Sequence, residues 1–294
     1  MRARRIGLAP LVALLAVATS ISGVPAAAKS AKPAETSVRL TALDGSAQAR
    51  SRIIDGRTVV SSPRDGSVTV RLDEPLQLRV VESGGTRVAL ATPLPAGADT
   101  YRPGGRASTR LVVADLGTGT SRAFNVPRNV EPEAFGVGPS RDLLFVVDHR
   151  PARNPSSYRV GAVNLVDGRF QGLFGPTKTP LDIDMTGYAH QQVLSTGGTQ
   201  LYTLYLEHDH AESPSGTAFV HVLDLEGSWA YCVDLPGVGH GPTGSSSIRL
   251  SPNGDALLVT DRHADTEHTI RTADLALNRL ANGTPSIAVR ALDA

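Results

Sequence analysis

Four similar stretches recur along the chain at nearly equal spacing. They are ESGGTRVALA (82–91), GPSRDLLFVVD (138–148), STGGTQLYTLY (195–205) and SPNGDALLVTD (251–261). Aligned on Gly85, Arg141, Gly198 and Gly254, they lie 56, 57 and 56 residues apart. Each joins a small polar turn to a run of aliphatic and β-branched residues, which is typical of a hairpin turn leading into a strand. This repeat constrains the fold strongly, because repeated units must bury their open faces against one another.

A second strand pattern follows each of these stretches, in RLVVADLGTG (110–119), VGAVNLVDG (160–168), FVHVLDLEG (219–227) and TIRTADLAL (269–277). Each ends in Asp-Leu or Asn-Leu, at Asp115, Asn164, Asp224 and Asp274. Such side chains accept hydrogen bonds from the backbone just downstream, so we expect them to begin turns. Each unit therefore contains strand, tight turn, strand, longer loop, strand, tight turn and strand. No stretch has a sustained helical period, so the pattern predicts an all-β fold.

The last unit resembles a known repeat family. LSPNGDALLVTDRHADTEHTIRTADL is similar to the repeat of the YVTN and WD40-like β-propeller proteins, in which S-P-D-G-x-x-L-Y-V-x-N/D precedes a V-x-V-I-D strand. Residues 138–167 fit this repeat less closely, and residues 82–116 and 195–225 fit it by pattern. The resemblance covers roughly residues 76–280 and implies a β-propeller of four-stranded antiparallel blades. It does not imply a function, because the family includes lactonases, redox enzymes and binding platforms.

The repeat also predicts the number of blades. Four units leave residues 35–75, where VRLTALDG, RTVVSSP and GSVTVRLD have the alternation of further strands. We therefore predict five blades, since six or seven would require blades within the long connections. The terminal segment PSIAVRALDA (285–294) is expected to close the ring against the N-terminal segment.

The N-terminus has the order of a secretory signal peptide. Basic residues at 2–5 precede an apolar run from Ile6 to Val17 and a small-residue segment that ends at Ala28. This run is too short to span a bilayer, and no later segment is long and apolar enough to do so. We predict a signal peptide over 1–28, a disordered linker over 29–36 and a single propeller domain over 37–294. The mature protein is then secreted or held in the cell envelope.

Composition indicates the kind of genome that encodes the chain and the kinds of partner that it is expected to bind. Arginine greatly outnumbers lysine, and alanine and valine are abundant, which favours a GC-rich bacterial genome such as that of an actinobacterium. Loss of the three arginines in 1–28 takes the formal net charge from +1 to −2. A nearly neutral chain gives no reason to expect a nucleic-acid partner. The single cysteine, Cys232, has no internal disulfide partner and is expected to be a small buried side chain.

The resemblance places the loops between second and third strands on the same face as the connections between blades. Every histidine except His221 falls in these segments, at positions 149, 190, 208, 210, 240, 263 and 268. Loops on a rigid scaffold often hold binding residues, so this face supplies candidate ligand-binding residues. They are Asp148, His149, Asp209, Glu212, Asp261 and His263. The alternative is that long exposed loops are simply polar.

The segment YLEHDHAESPSG (205–216) is a candidate metal site. His208 and His210, together with Glu207, could hold a divalent metal if the loop is irregular. On a regular strand the two imidazoles would point to opposite sides, and a solvated loop is the alternative interpretation. DIDMTG (182–187) has too few acidic oxygens for calcium. No other cofactor is predicted.

These patterns favour an exported, non-catalytic binding or scaffold module. Its partner would be a protein, a peptide or a cell-envelope component, bound through the face rich in histidines and acids. The alternative is a metal-dependent or lactonase-like enzyme with its site at the propeller axis on the same face. A third hypothesis is a structural element without a specific site. The sequence has no P-loop, dinucleotide fingerprint or G-x-S-x-G elbow.

Overall fold

The computed structural model describes residues 36–64, 66–98, 103–177, 184–206, 218–235, 237–238 and 245–292. The predicted signal peptide and linker lie outside these ranges, apart from Thr36, with which the first strand begins. Among the described residues, helical structure is confined to two short 3₁₀ turns, Gly138–Ser140 and Thr272–Leu275, and one turn of α-helix, Leu277–Leu280. No helix in these ranges has the length and apolar character needed to cross a membrane.

The strands form five antiparallel sheets, each made of four strands that are consecutive along the chain. The first sheet contains β1 (Thr36–Thr41), β2 (Gln48–Ile54), β3 (Arg57–Ser61) and β4 (Val70–Leu72). The second contains β5 (Gln77–Val81), β6 (Arg87–Ala91), β7 (Thr109–Asp115) and β8 (Thr120–Val126). The third contains β9 (Asn129–Phe135), β10 (Leu143–Arg150), β11 (Ser157–Asn164) and β12 (Phe170–Gly172). The fourth contains β13 (Tyr188–Leu194), β14 (Gln200–Leu206), β15 (Ala218–Asp224) and β16 (Ala230–Asp234). The fifth contains β17 (Ser246–Leu250), β18 (Ala256–Asp261), β19 (Thr266–Arg271) and β20 (Ile287–Ala291).

Four apolar clusters join successive sheets. Ala49 and Val60 of the first sheet pack with Leu90 of the second, and an equivalent cluster joins the second sheet to the third. Large side chains fill the next two interfaces, with Phe145 of the third sheet against Tyr205 of the fourth. The same packing continues between the fourth and fifth sheets. The chain is therefore an all-β propeller with five four-stranded blades, as the repeat predicts.

The prediction that the C-terminal segment closes the ring against the N-terminus is wrong. β20 pairs with β19 of its own sheet, from Thr266 opposite Ala291 to Ile270 opposite Ile287. None of the apolar clusters formed by the described residues joins the fifth sheet to the first. The physical reason is that the outward faces of these two sheets are mostly polar or charged, so they offer little apolar surface to bury.

The turns between first and second strands follow the glycines of the repeat. Gly198 and Gly254 have φ of 70° and 75°, a conformation that favours glycine because a Cβ atom would clash there. In the second sheet the positive φ of 67° falls on Gly84 rather than on Gly85. Arg141 has a φ of −56° after a 3₁₀ turn, so this turn differs in type, as the lack of a glycine indicated.

In three of the four units an Asp or Asn at the end of the third strand begins a turn, as predicted. Asp115 Oδ1 accepts hydrogen bonds from the backbone N–H groups two and three residues downstream, at 2.8 and 3.3 Å. Asn164 and Asp224 likewise accept a hydrogen bond from the backbone N–H two residues downstream, at 2.7 and 3.1 Å. Asp274 differs, because it lies in a 3₁₀ turn and pairs with Arg271 at 2.9 Å. These residues have a structural role.

Candidate functional site

The loops between second and third strands extend from one end of the sheets, here called the loop end. β10 reaches this end at Arg150, and β18 reaches it at Asp261. The first strands begin at the same end, because Asn129 pairs with His149 and Ser246 pairs with Asp261. Connections between successive sheets therefore arrive there too. The first sheet lacks a long loop at this end, since a two-residue turn joins β2 to β3.

Asp148 and His149 lie in β10, which extends further into the predicted loop than the sequence indicated. Both are buried, with 2% and 1% of their surface exposed. Asp148 Oδ2 accepts hydrogen bonds from Arg128 Nη1 and Arg150 Nε, each at 3.0 Å. The carboxylate therefore holds two arginines at the end of the strand, and its negative charge is compensated within the protein.

Asp261 has a similar structural role at the end of β18. It is fully buried, and its Oδ1 accepts hydrogen bonds from the backbone N–H groups of His263 and Ala264 at 2.9 and 3.2 Å. These bonds begin the turn to β19. His268 lies within β19 and is buried, and burial lowers its pKa against an opposing effect of Asp261. His263 is exposed in the turn and is available to a partner.

The other predicted ligands lie outside the described residues. These are Glu207, His208, Asp209, His210 and Glu212, so the metal and loop interpretations of this segment remain predictions. Within the described ranges, no three His, Cys, Asp or Glu side chains come together as a group that could hold a metal ion. Asp184, from the rejected calcium pattern, forms an exposed ion pair with Arg159.

Three neighbouring first strands carry a register shift that the sequence did not reveal. The ladder between first and second strands skips Arg79 in β5, Glu133 in β9 and His190 in β13. A bulge of this kind redirects a side chain and is common beside functional sites. The first strands are also the inner strands, because β1 approaches β5 and β5 approaches β9. Three ionisable residues thus lie at bulges on the inner strands of three successive blades.

Two acids on β9 each meet partners from other parts of the chain, and we call the two sets together the inner-strand cluster: Glu131 with Arg79 and Arg106, and Glu133 with Gln192, which also contacts Thr203. Glu131 is fully buried between two arginines. Arg79 Nε lies 2.8 Å from Glu131 Oε2, and Arg106 Nη2 donates to Oε1. Burial raises the pKa of Glu131, and the two guanidinium charges oppose that rise. These three groups together carry one net positive charge when all are ionised.

Glu133 differs from Glu131 because no cation among the described residues compensates it. Its Oε1 accepts a hydrogen bond from Gln192 Nε2 at 3.0 Å, while its buried Oε2 has no hydrogen-bond partner among the described residues. Burial raises the pKa of Glu133 to about 7, although the bond from Gln192 acts in the opposite direction. At neutral pH the carboxyl therefore exists in both protonation states. It can donate a hydrogen bond when protonated and accept one when ionised.

The strand β13 links this cluster to solvent and to the fifth sheet. Gln192 is half-buried and its Nε2 lies 3.3 Å from Thr203 Oγ1, while Gln191 is exposed. Gln191 Oε1 accepts a hydrogen bond from Ile248 N at 3.0 Å, and His190 Nε2 lies 2.8 Å from Ser246 O. Gln192 thus connects the Glu133 carboxyl of β9 to a strand whose neighbouring residue, Gln191, is exposed.

This cluster is not apparent from the sequence. Its one signal is NVEPEAF (129–135), where two glutamates at period two lie within a strand whose seven residues are all buried. That burial cannot be read from the letters, since a glutamate in a strand is usually exposed. Arg79 lies in the second sheet and Arg106 in the connection between β6 and β7, so both reach Glu131 only through tertiary packing.

Comparison with known proteins gives no conclusion about the function of this chain. No family model and no curated protein matches the chain. A putative 6-phosphogluconolactonase from Bacteroides uniformis is 13% identical, with a TM-score of 0.41 over 86% of this chain and 70% of that chain. The Dos1 propeller is 11% identical, with a TM-score of 0.48 over 87% and 57%. Hydrazine synthase from Kuenenia stuttgartiensis is 10% identical, with a TM-score of 0.45 over 80% and 64%. The chain spans less than two thirds of the last two.

Proposed function

We propose that this protein is an exported bacterial propeller of the YVTN and WD40-like type that acts as a binding module. Its ligand is recognised at the inner-strand cluster, and the exposed loop end adds contacts. The observation that supports this proposal is the buried Glu133 carboxyl, whose Oε2 has no hydrogen-bond partner among the described residues. The partner is a peptide, a protein segment or a cell-envelope component that supplies the missing hydrogen bond.

The energetic cost of Glu133 is the physical reason for assigning it a binding role. A buried polar atom without a hydrogen bond costs about 1–3 kcal/mol. A buried carboxyl near neutrality is also a common feature of functional sites. A ligand hydroxyl or amide placed against Oε2 would recover part of this cost.

The neighbouring arginines define the rest of the ligand. Arg79 and Arg106 share one carboxylate, so the trio retains one positive charge that favours an anionic group. The Arg106 side chain retains 15% exposure. A ligand with a hydrogen-bond donor and a carboxylate, such as the C-terminal end of a peptide, matches both features.

The loop end contributes the finer contacts in this proposal. His263 is exposed there. Glu207, His208, Asp209, His210 and Glu212 belong to the connection between β14 and β15 and are proposed to meet the same partner. A divalent metal held by His208, His210 and Glu207 is part of the enzyme alternative, and metal analysis of the purified protein tests it directly.

The pKa of Glu133 supports a second candidate function. A carboxyl that titrates near pH 7 is suited to general acid–base catalysis, because it exchanges a proton at the working pH. In a lactonase-like enzyme the ionised Glu133 would remove a proton from a water molecule as that water attacks the carbonyl carbon. Gln192 would orient the carboxylate through its hydrogen bond to Oε1.

One set of variants separates the two functions. Short peptides and hydroxy acids are tested for thermal stabilisation of the wild type, Glu133→Gln and Glu226→Gln. Glu226 is an exposed glutamate in a turn of the fourth sheet, so its variant makes the same chemical change away from the cluster. A ligand at a hundred times its dissociation constant stabilises the folded state by about 2.7 kcal/mol. Binding at the cluster predicts that Glu133→Gln loses this stabilisation and Glu226→Gln keeps it.

Equal stabilisation of all three proteins by each active compound would refute binding at the cluster. The enzyme alternative is measured with gluconolactone, by following acid release against the uncatalysed rate. Catalysis that disappears in Glu133→Gln and persists in Glu226→Gln supports it. Acid release no faster than the uncatalysed rate would exclude the enzyme alternative for gluconolactone.

A further inference from the structure

The first sheet has one face that no described cluster covers. Its apolar side chains, including Leu40, Ala49 and Val60, point toward the second sheet. Successive residues of a strand point to opposite faces, so the intervening positions face outward. Five of these outward positions are arginines. Arg52 already has an interaction partner, and the other four form what we call the arginine face: Arg39, Arg50, Arg57 and Arg71.

All four arginines are exposed, and the strands that carry them contain no acidic residue. The four strands read TSVRLT, QARSRII, RTVVS and VRL, without a single Asp, Glu or Lys. Asp73, just after β4, lies 3.2 Å from Arg57 Nε and is itself highly exposed. The face therefore has a strong positive charge although the whole chain is nearly neutral.

The arrangement of the arginines is unfavourable without a partner. Arg39 and Arg50 are directly opposite each other in the ladder between β1 and β2. Like charges in this position destabilise a sheet. The two side chains line a groove of ≈280 Å³ with Gln48, Ser61 and Ser62. An anion in this groove would remove the repulsion.

Neither the fifth sheet nor a second copy of this chain is a suitable occupant. On the outward face of the fifth sheet, Glu267 is held between Arg249 and Arg290 at 3.2 and 2.8 Å. That face therefore also carries net positive charge. Bringing the two faces together, within one chain or between two copies, would oppose like charges.

We infer that the arginine face is a docking surface for an acidic protein segment. Guanidinium groups bind carboxylates through two parallel hydrogen bonds, which a segment of closely spaced Asp and Glu residues would satisfy. The exposed Ile54 and half-buried Val59 lie between the arginines and add apolar contact area. Arginine with apolar residues and no lysine is the composition of a protein interface. This surface lies on the first sheet and does not depend on the ligand of the inner-strand cluster.

The test uses a fluorescent peptide of about ten residues that alternates Glu and Val, in the size range of one β-strand. Its affinity is measured by fluorescence anisotropy for the wild type and for the double variant Arg39→Gln/Arg50→Gln. The control is Arg169→Gln/Arg262→Gln, which removes the same charge from two exposed arginines on the third and fifth sheets. Circular dichroism checks folding, and Arg57→Gln/Arg71→Gln replaces the first pair if that pair fails to fold.

We expect the wild type to bind the peptide at low salt and to weaken steadily up to about 200 mM NaCl, as screening requires. Loss of two partly exposed ion pairs should weaken binding about tenfold in the first variant, and the control should stay within about twofold of the wild type. Failure of the wild type to bind at low salt, or equal weakening in both double variants, overturns the proposal. Stronger competition by inorganic polyphosphate than by unlabelled peptide also overturns it, in favour of a phosphate polymer.

Discussion

Replacing Glu133 by glutamine should stabilise the protein at high pH. The folded-state pKa of Glu133 is about 7, and its ordinary value is 4.5. Between these values the unfolded chain has lost a proton that the folded protein keeps, so rising pH favours unfolding. The contribution of Glu133 to stability is therefore fully present below pH 4.5 and is lost as the pH rises through about 7. The difference corresponds to about 3 kcal/mol at 1.36 kcal/mol per unit of pKa.

Glutamine keeps the shape of the side chain but cannot ionise. The stability of the variant should therefore not fall with rising pH in this way. Urea denaturation of both proteins, followed by fluorescence of the buried Trp229, gives the free energy of unfolding at each pH. The variant should gain up to about 3 kcal/mol over the wild type between about pH 5 and pH 8. Glu226→Gln should show no such gain. A difference between Glu133→Gln and wild type that does not change with pH would refute the reasoning.

Three further outcomes are expected. Burial lowers the pKa of His221 to about 4 from 6.5, so stability falls as the pH falls through this window, and His221→Leu should resist acid in urea titrations at low pH. Asp148→Asn should cost about 1–3 kcal/mol, because it removes a buried carboxylate between two arginines, whereas Asp184→Asn in an exposed pair should cost less than about 1 kcal/mol. Burial raises the pKa of Cys232 to about 12, so its thiol should react with iodoacetamide only after unfolding, and rapid labelling of the native protein would contradict this.

The sequence predicted those parts of the fold that local chemistry determines. Glycine turns at Gly198 and Gly254, and turn-forming acids such as Asp115, act within a few residues of themselves. Their spacing was enough to predict the strand order within each blade and the number of blades. Burial of β10 as far as His149 was not predicted, because it depends on sheets that pack against both faces of that strand.

The inner-strand cluster was beyond sequence reasoning for a different reason. Glu131 meets Arg79 and Arg106, which are 52 and 25 residues away along the chain. The bulge at Glu133 is a property of the pairing between β9 and β10 rather than of any residue type. The closure of the ring was mispredicted because the composition of 285–294 fits an outer strand of its own sheet as well as a closing strand.

Each terminal sheet shares an apolar cluster with one neighbour only, within the part of the chain that the structure describes. The three middle sheets have two such interfaces each. Stability in such an array is nearly a sum of nearest-neighbour contributions. Losing a whole blade from either end would therefore sacrifice a single interface, and duplicating one would add a single interface. Growth or shortening by a blade at a time is thus open to this architecture in evolution, without rebuilding the contacts in the middle.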